Sequence, residues 1–387
     1  MRAAGGRAEN RSELSRKMIA HFLTAAVLVA VPSEEERIKG AFFGSLVADA
    51  LCLGSHYEYD AATIKQAYGG KPIETYMAPG EQMGGTTHGV GWGRRNYHPG
   101  QKKGDQTDYG EYGILMLEYL AGRTTPGAPV QLTELIPVWQ ARLNGDWGAW
   151  ICSQSRQTLQ QVAAGVPPQS LGGMSNAMSM RAAAGLGAFA TEDELAVAAR
   201  KFMFTHRNEE ALSGGEFFAR VAFKVARKGM TPREAIDAVA ASMSGWIQQQ
   251  VRKGIAKFEE ATDPSQPLSK EEFVDDLAMT SMARLWDVGK TEPIKVGKAS
   301  PTEGTLPSSV YIILKYVDDF AAAAKANAMV GGDNASRAVA IGMVLGAYHG
   351  MDGIPKPLRE GLNAWKKCDA LLNKLPLLAK SAGKAEL

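Results

Sequence analysis

From Glu34 onward, apolar residues recur three and four positions apart, as in Ile38, Phe42, Phe43, Leu46 and Val47 and again in Ile114, Leu115, Leu117 and Leu120. That period matches the 3.6-residue turn of an α-helix. Strict alternation, from which a half-buried strand would be built, is almost absent. Further helices are predicted at 132–143, 193–204, 209–227, 232–242, 271–284, 308–315, 318–329, 335–348 and 358–372. The reading is an all-α protein.

Composition narrows the class. With 387 residues, 45% hydrophobic and 22% charged, the chain is globular rather than disordered or a coiled-coil rod. No uninterrupted run of 18 apolar residues offers a membrane-spanning helix. A net charge of +2, with no run of five like charges, argues against a nucleic-acid partner. Cys52, Cys152 and Cys368 are odd in number and far apart, which disfavours a disulfide framework or a Cys-rich zinc site and makes the cytoplasm the default location.

Residues 1–33 differ from the rest, with five basic residues against two acidic ones ahead of the apolar stretch Met18 to Val31. They read as an N-terminal extension, either disordered or an organelle-targeting segment. One domain follows at 34–370, then a tail at 371–387; there is no fixed-period repeat. Two stretches interrupt the helices, a glycine-rich one at 69–103 carrying two histidines, and 260–269 with Pro264 and Pro267. Loops of the first length tend to be functional or disordered, and Tyr76, Trp92 and Tyr97 could line a pocket there.

Phosphate-loop, dinucleotide-fingerprint, HExxH and GxSxG patterns are all missing. What the chain offers instead is two helix starts rich in oxygen: Gly104-Asp105-Gln106-Thr107-Asp108-Tyr109-Gly110-Glu111 and Gly331-Gly332-Asp333-Asn334-Ala335-Ser336. One reading is plain capping, with Asp108 and Glu111 as a capping box and Asp333 or Ser336 at the second helix. The other is that the two starts meet and Thr107, Asp108, Asp333 and Ser336 present hard oxygen atoms to Mg²⁺. Both stand at this point.

The order of several segments decides how they are weighed. Arg37-Ile38-Lys39-Gly40-Ala41-Phe42-Phe43-Gly44-Ser45-Leu46-Val47-Ala48-Asp49-Ala50-Leu51, Thr107-Asp108, Ser175-Asn176-Ala177-Met178-Ser179-Met180-Arg181, Thr205-His206, Leu306-Pro307-Ser308-Ser309 and Gly331-Gly332-Asp333 occur in sequence. Together they resemble the ADP-ribosylglycohydrolase superfamily from Glu36 to about Pro355. Gly54-Ser55-His56 and Tyr59-Asp60 look like its branch of J1-type crystallins. The resemblance implies a single helical domain with a cleft at helix termini, up to two Mg²⁺ ions, and hydrolysis of a glycosidic bond in an ADP-ribose conjugate, either a small molecule or a modified protein.

It also implies roles. Glu58 or Glu111 would activate water, while Ser175, Asn176 and His206 would contact substrate. Two departures stand out. Where metal-dependent members have Thr-Asp-Asp-Thr, this chain has Thr107-Asp108-Tyr109-Gly110, and an Asp-x-Asp-Thr motif becomes Asp333-Asn334-Ala335-Ser336. Losing two carboxylates weakens or empties at least one cation site, so one Mg²⁺ is expected and a second left open. The Asp49-to-Glu58 spacing of nine also exceeds the family's seven. The alternative is a non-catalytic descendant, a structural protein of the crystallin J1 kind or a nucleotide-binding module. The linkage cleaved and the oligomeric state are not fixed by the sequence.

Overall fold

The computed structural model describes residues 31–83, 86–87, 94–282, 285–286 and 294–382. The targeting or disorder reading of the first 30 residues, and Trp92, lie outside them. The chain divides into Met1–Val31 and Pro32–Leu387, and the second unit is the one described below.

It is all-helical, as the period of its apolar residues predicts. The helices are α1 (Glu34–Cys52), α2 (Ala61–Ala67), α3 (Asp108–Ala121), α4 (Leu132–Asn144), α5 (Ser153–Ala163), α6 (Glu192–Phe202), α7 (Glu209–Lys228) and α8 (Pro232–Ser242). There follow α9 (Gly245–Thr262), α10 (Val274–Ser281), α11 (Thr302–Lys315), α12 (Phe320–Val330), α13 (Asn334–His349), α14 (Lys356–Gly361), α15 (Trp365–Leu372) and α16 (Pro376–Ala382). Extended pairing among the described residues amounts to two antiparallel ladders two residues long, Thr86–Thr87 with Arg94–Arg95 and Leu285–Trp286 with Ile294–Lys295, and the isolated bridges Gly173–His206 and Ala177–Pro301.

The core is organised on α1 and α13. Ser33 opens α1 with a capping box, its hydroxyl taking the Glu36 N–H at 3.2 Å while the Glu36 carboxylate takes the Ser33 N–H at 2.7 Å. Beyond its first turn α1 is buried on nearly every side, and so is α13. Such a helix belongs at the centre of a large domain. The two touch backbone to backbone: a Cβ added to Gly44 would lie 2.3 Å from the Gly342 carbonyl oxygen, and one added to Gly346 would lie 2.1 Å from that of Gly40. Glycine is what permits that approach.

The structure differs from the sequence expectation in several places. Helices α2, α5 and α9 were not predicted. The stretch 358–372 is broken into α14 and α15, and the helix expected from 308 begins at Thr302 and runs through Pro307. The stretch 271–284 is helical only over Val274–Ser281. Residues 371–382, read as part of a tail, close α15, turn and form α16, with Leu375 and Leu378 buried. Among the described residues no helix is long and apolar enough to cross a membrane.

Candidate active site

The two oxygen-rich helix starts meet. Tyr109, in the first turn of α3, donates its hydroxyl to Asp333 Oδ2 at 2.8 Å, and Asp333 is the N-cap of α13, accepting the Ser336 N–H at 3.4 Å. Asp108 and Asp333 both line one cavity of about 330 Å³, a size within the range of small-molecule sites.

Capping and site-building turn out to be shared among these residues. Thr107, not Asp108, caps α3, its hydroxyl accepting from Tyr109 N at 3.2 Å. That frees the Asp108 carboxylate for the cavity. The capping box with Glu111 does not form; Glu111 is held instead by Arg142 at 2.8 Å and Gln101 at 3.3 Å. Thr107 gives both its N–H and its hydroxyl to Asp49, at 2.8 and 2.6 Å. Asp49 is thus a buried strut between the end of α1 and the start of α3, and burial pushes its pKa up to about 8.

On the α13 side, Gly331 and Gly332 have φ of +71° and +69°, and a Cβ on either would meet a carbonyl oxygen within 2.2 Å, of Glu58 and Lys298 respectively. The turn is clamped by exchange with the segment after α1: Tyr57 N–H donates to Gly332 O at 2.8 Å, and Gly332 N–H to Glu58 O at 2.5 Å. Tyr57 has φ +68°, a conformation that costs a bulky residue free energy and often marks a functional segment. Buried Arg337 holds the turn from behind, donating to Gly331 O at 2.6 Å and Asn327 Oδ1 at 2.9 Å. Burial then raises the Asp333 carboxyl to about 7, with the Tyr109 hydroxyl opposing and Asp108 adding to the shift.

Three of the residues expected to contact substrate, Ser175, Asn176 and His206, line the same cavity. Their loop is stitched down by Gly173 N–H to Thr205 O at 3.1 Å, Arg207 N–H to Gly173 O at 2.7 Å and Thr302 N–H to Asn176 O at 2.9 Å. His206 is neutral: Thr205 Oγ1 lies 2.9 Å from its Nδ1 and Ser179 Oγ 3.1 Å from its Nε2, and burial followed by the charge of Arg181 lowers its pKa to about 3.

Not every expected site residue faces the cavity. Thr107 and Ser336 are turned to local bonds, Ser336 donating to Asp333 O at 2.8 Å. Glu111 lies outside the lining, as does buried Glu58, whose Oε1 accepts the Asp60 N–H at 3.2 Å.

Conversely, the cavity wall contains groups that the sequence reading did not single out. Arg181 stacks on the Tyr112 ring, 3.7 Å from its centroid, and donates to Phe202 O and Thr205 Oγ1 at 3.0 and 3.2 Å. Its buried Nε–H finds no acceptor among the described residues. Arg156 lies over Trp150, and Tyr57, Tyr59 and Trp150 complete an aromatic wall. Tyr97, flagged in the long loop, is buried behind it, packed edge-on against Tyr57 and Trp150. Tyr76 instead donates to Leu358 O.

Next to the cavity, one ring nitrogen each from His56 and His98 and one carboxylate oxygen of Asp108 lie within 4.8 Å of one another, all three residues buried. His56 follows α1 while His98 and Asp108 lie ten residues apart, so no single local motif holds all three.

An all-helical domain whose cavity is built at helix termini, with carboxylates on one wall and arginines and aromatic rings on another, is an arrangement suited to a nucleotide-derived ligand. The chain belongs to the ADP-ribosylglycohydrolase family, whose profile matches residues 30–385. Members of this family act on ADP-ribose-linked compounds and are generally dependent on divalent metal. Among solved structures, one described as an "ADP-ribosylglycohydrolase-related protein complex" is similar at 18% identity with a TM-score of 0.57, covering 89% of this chain and 99% of its own. That likeness speaks for the fold alone. No curated protein matches the chain significantly.

Proposed function

We propose that the chain hydrolyses a glycosidic bond of an ADP-ribose conjugate in the cavity between the starts of α3 and α13, assisted by one divalent cation, Mg²⁺ being the ion that the sequence resemblance implies. The observation that carries this reading is the convergence of Asp108 and Asp333 with Arg181 and the aromatic wall on one cavity. Arg181 suits a phosphate, since a buried guanidinium with an unspent N–H gains most from a charged acceptor. The aromatic wall of Tyr57, Tyr59 and Trp150 offers apolar surface to the ligand.

Hydrolysis adds water across the bond. Its oxygen attaches to the anomeric carbon and keeps one proton as the new hydroxyl, the bond from that carbon to the leaving group breaks, and the other proton passes to a carboxylate and from it to the leaving group. A bound cation would supply charge stabilisation to the ribose oxygens. We assign the base role to Asp333, because it lines the cavity whereas Glu111 and Glu58 do not. Glu58, whose carbonyl receives Gly332 N–H, is a positioning residue for that turn. Ser175 and Asn176 would contact the substrate through their loop, and neutral His206 would contact it rather than transfer protons.

A second reading is a non-catalytic, crystallin J1-like or nucleotide-binding descendant. It is favoured by one contact, the Tyr109 hydroxyl on Asp333, which occupies an oxygen that a cation would otherwise use. Release of ADP-ribose from modified proteins, small conjugates and polymer, with Mg²⁺, Mn²⁺ or Zn²⁺ added, separates the two. Turnover that is abolished in Asp333→Asn while ADP-ribose still binds supports the hydrolase. Absence of turnover with every substrate and cation leaves the non-catalytic reading.

A further inference from the structure

The residues that would hold two Mg²⁺ ions do not fit them. Thr107 and Ser336 are spent on Asp49 and on the Asp333 carbonyl, the Tyr109 phenol stands where a carboxylate is needed and bonds to Asp333, and buried Ala335 offers only a methyl group. Mg²⁺ requires near-octahedral oxygen coordination and sheds water reluctantly; two carboxylates, one of them already engaged, are a poor cage.

We propose instead that His56, His98 and Asp108 form a mononuclear site for a borderline transition-metal dication, Zn²⁺ or Fe²⁺. The inference names the cation of the hydrolase reading and rests on that reading for its catalytic meaning, though not for its geometry. His98 Nε2 lies 3.4 Å from Asp108 Oδ1. Two donors bound at about 2.1 Å to one ion, at octahedral or tetrahedral angles, stand roughly 3.0–3.4 Å apart. Two imidazoles and one carboxylate are the donor set such ions prefer, and one in which Mg²⁺ competes badly.

The His56 ring is oriented from outside the cluster. Asn334 Nδ2 donates to Ser55 Oγ at 2.9 Å and Ala328 O at 3.3 Å, which fixes its Oδ1 as the acceptor facing His56 Nδ1 at 3.1 Å. The proton therefore sits on Nδ1 and the lone pair on Nε2. An outer hydrogen bond of this kind, selecting the tautomer, is the usual companion of a metal-binding histidine. Asp108 belongs both to the triad and to the cavity wall, which Asp333 also lines, so the ion would adjoin the ligand cavity.

The test uses the full chain, stripped with a chelator and loaded with Co²⁺ as a spectroscopic probe. Expected are one Co²⁺ per chain, two paramagnetically shifted imidazole N–H resonances, no displacement by about 10 mM Mg²⁺, and a loss of affinity of about 100-fold or more in both His56→Gln and His98→Gln. The shifted resonances are read on the parent protein, so the test stands even if a variant misfolds. Equal Co²⁺ affinity in parent and folded variants, displacement by Mg²⁺, or absence of Co²⁺ binding overturns the site. Histidine-dependent binding without turnover would sink the hydrolase reading and leave the metal site; turnover with Mg²⁺ alone, unchanged in His98→Gln, would do the reverse.

Discussion

Tyr109 donates its phenol to Asp333 across 224 residues of sequence at 2.8 Å, at a position where the sequence resemblance implies a carboxylate. The contact pins the starts of α3 and α13 together without an ion. Restoring the lost carboxylates should undo this economy. Tyr109→Asp combined with Ala335→Asp is expected to lower stability in the absence of metal, because buried carboxylates then face one another, and to recover it on adding Mg²⁺. The parent should show no Mg²⁺-dependent rise in Tm. A thermal melt with and without Mg²⁺ reads both, since a ligand stabilises only the state it binds; a parent that already responds contradicts the account.

Arg181 is the cation most committed to the cavity wall. Removing its charge in Arg181→Met is expected to weaken ADP-ribose binding by about 10- to 100-fold, the size of a charge-assisted hydrogen bond. Arg181→Lys should fall between, keeping the charge but losing the planar stack on Tyr112. Calorimetric titration of the folded variants measures it. Unchanged affinity in Arg181→Met would remove the phosphate role.

The α1–α13 contact predicts a sharp contrast between two glycines. Gly44→Ala forces a methyl to within 2.3 Å of the Gly342 carbonyl oxygen and should cost about 3 kcal/mol or more, since the overlap is with backbone that cannot rotate away. Gly245→Ala, at the start of α9, meets nothing within 4 Å and should be neutral or stabilise by about 0.5–1 kcal/mol through chain entropy. Denaturant titration of the two variants against the parent decides the matter. Comparable losses in both would mean that helix propensity rather than contact governs these positions.

His206 makes a prediction in pH. Its folded pKa of about 3 lies below the ordinary 6.5, so from pH 6.5 downward the unfolded chain takes up a proton that the folded chain refuses. Stability is lost as pH falls through that window, by at most roughly 1.4 kcal/mol per pH unit from this residue. Asp49 and Asp333 act in the opposite sense: raised to about 8 and about 7, they hold protons in the folded state and cost stability as pH rises from 4 toward 8. The clean observable is therefore a difference. His206→Gln should lose less Tm than the parent between pH 6.5 and 4.5, and parallel curves would show that His206 is not buried as a neutral ring.

Much of the fold is legible because α3, α7 and α8 carry apolar residues at regular helical spacing. Helix α9 escaped that reading because its buried side is made partly of Gln250 and Gly254, the latter against the Pro307 carbonyl at a would-be Cβ distance of 2.5 Å. A helix seated through glycine leaves little apolar signal. Helix α5 is mostly polar, burying Gln154, Ser155 and Thr158. In the site, Asp108 and Asp333 could be picked out because each sits at a glycine-bounded helix start. Thr107 was readable as an oxygen donor but not as the cap, since Thr and Asp at adjacent positions compete for the same role. His56 and Arg181 stood inside segments that carry the resemblance and His98 in the glycine-rich stretch, but only tertiary packing brings them to the site.

The backbone contact between Gly40, Gly44, Gly342 and Gly346 has a final implication. A shift of α1 along α13 by one residue would drive a side chain into a peptide carbonyl, so the register between the pair is quantised. Asp49 near one end of α1 and Asp333 at the head of α13 inherit that fixed offset without contributing to it. The groups around the ligand chamber can therefore be exchanged, carboxylate for phenol or oxygen donor for imidazole, while the frame that holds them keeps its dimensions.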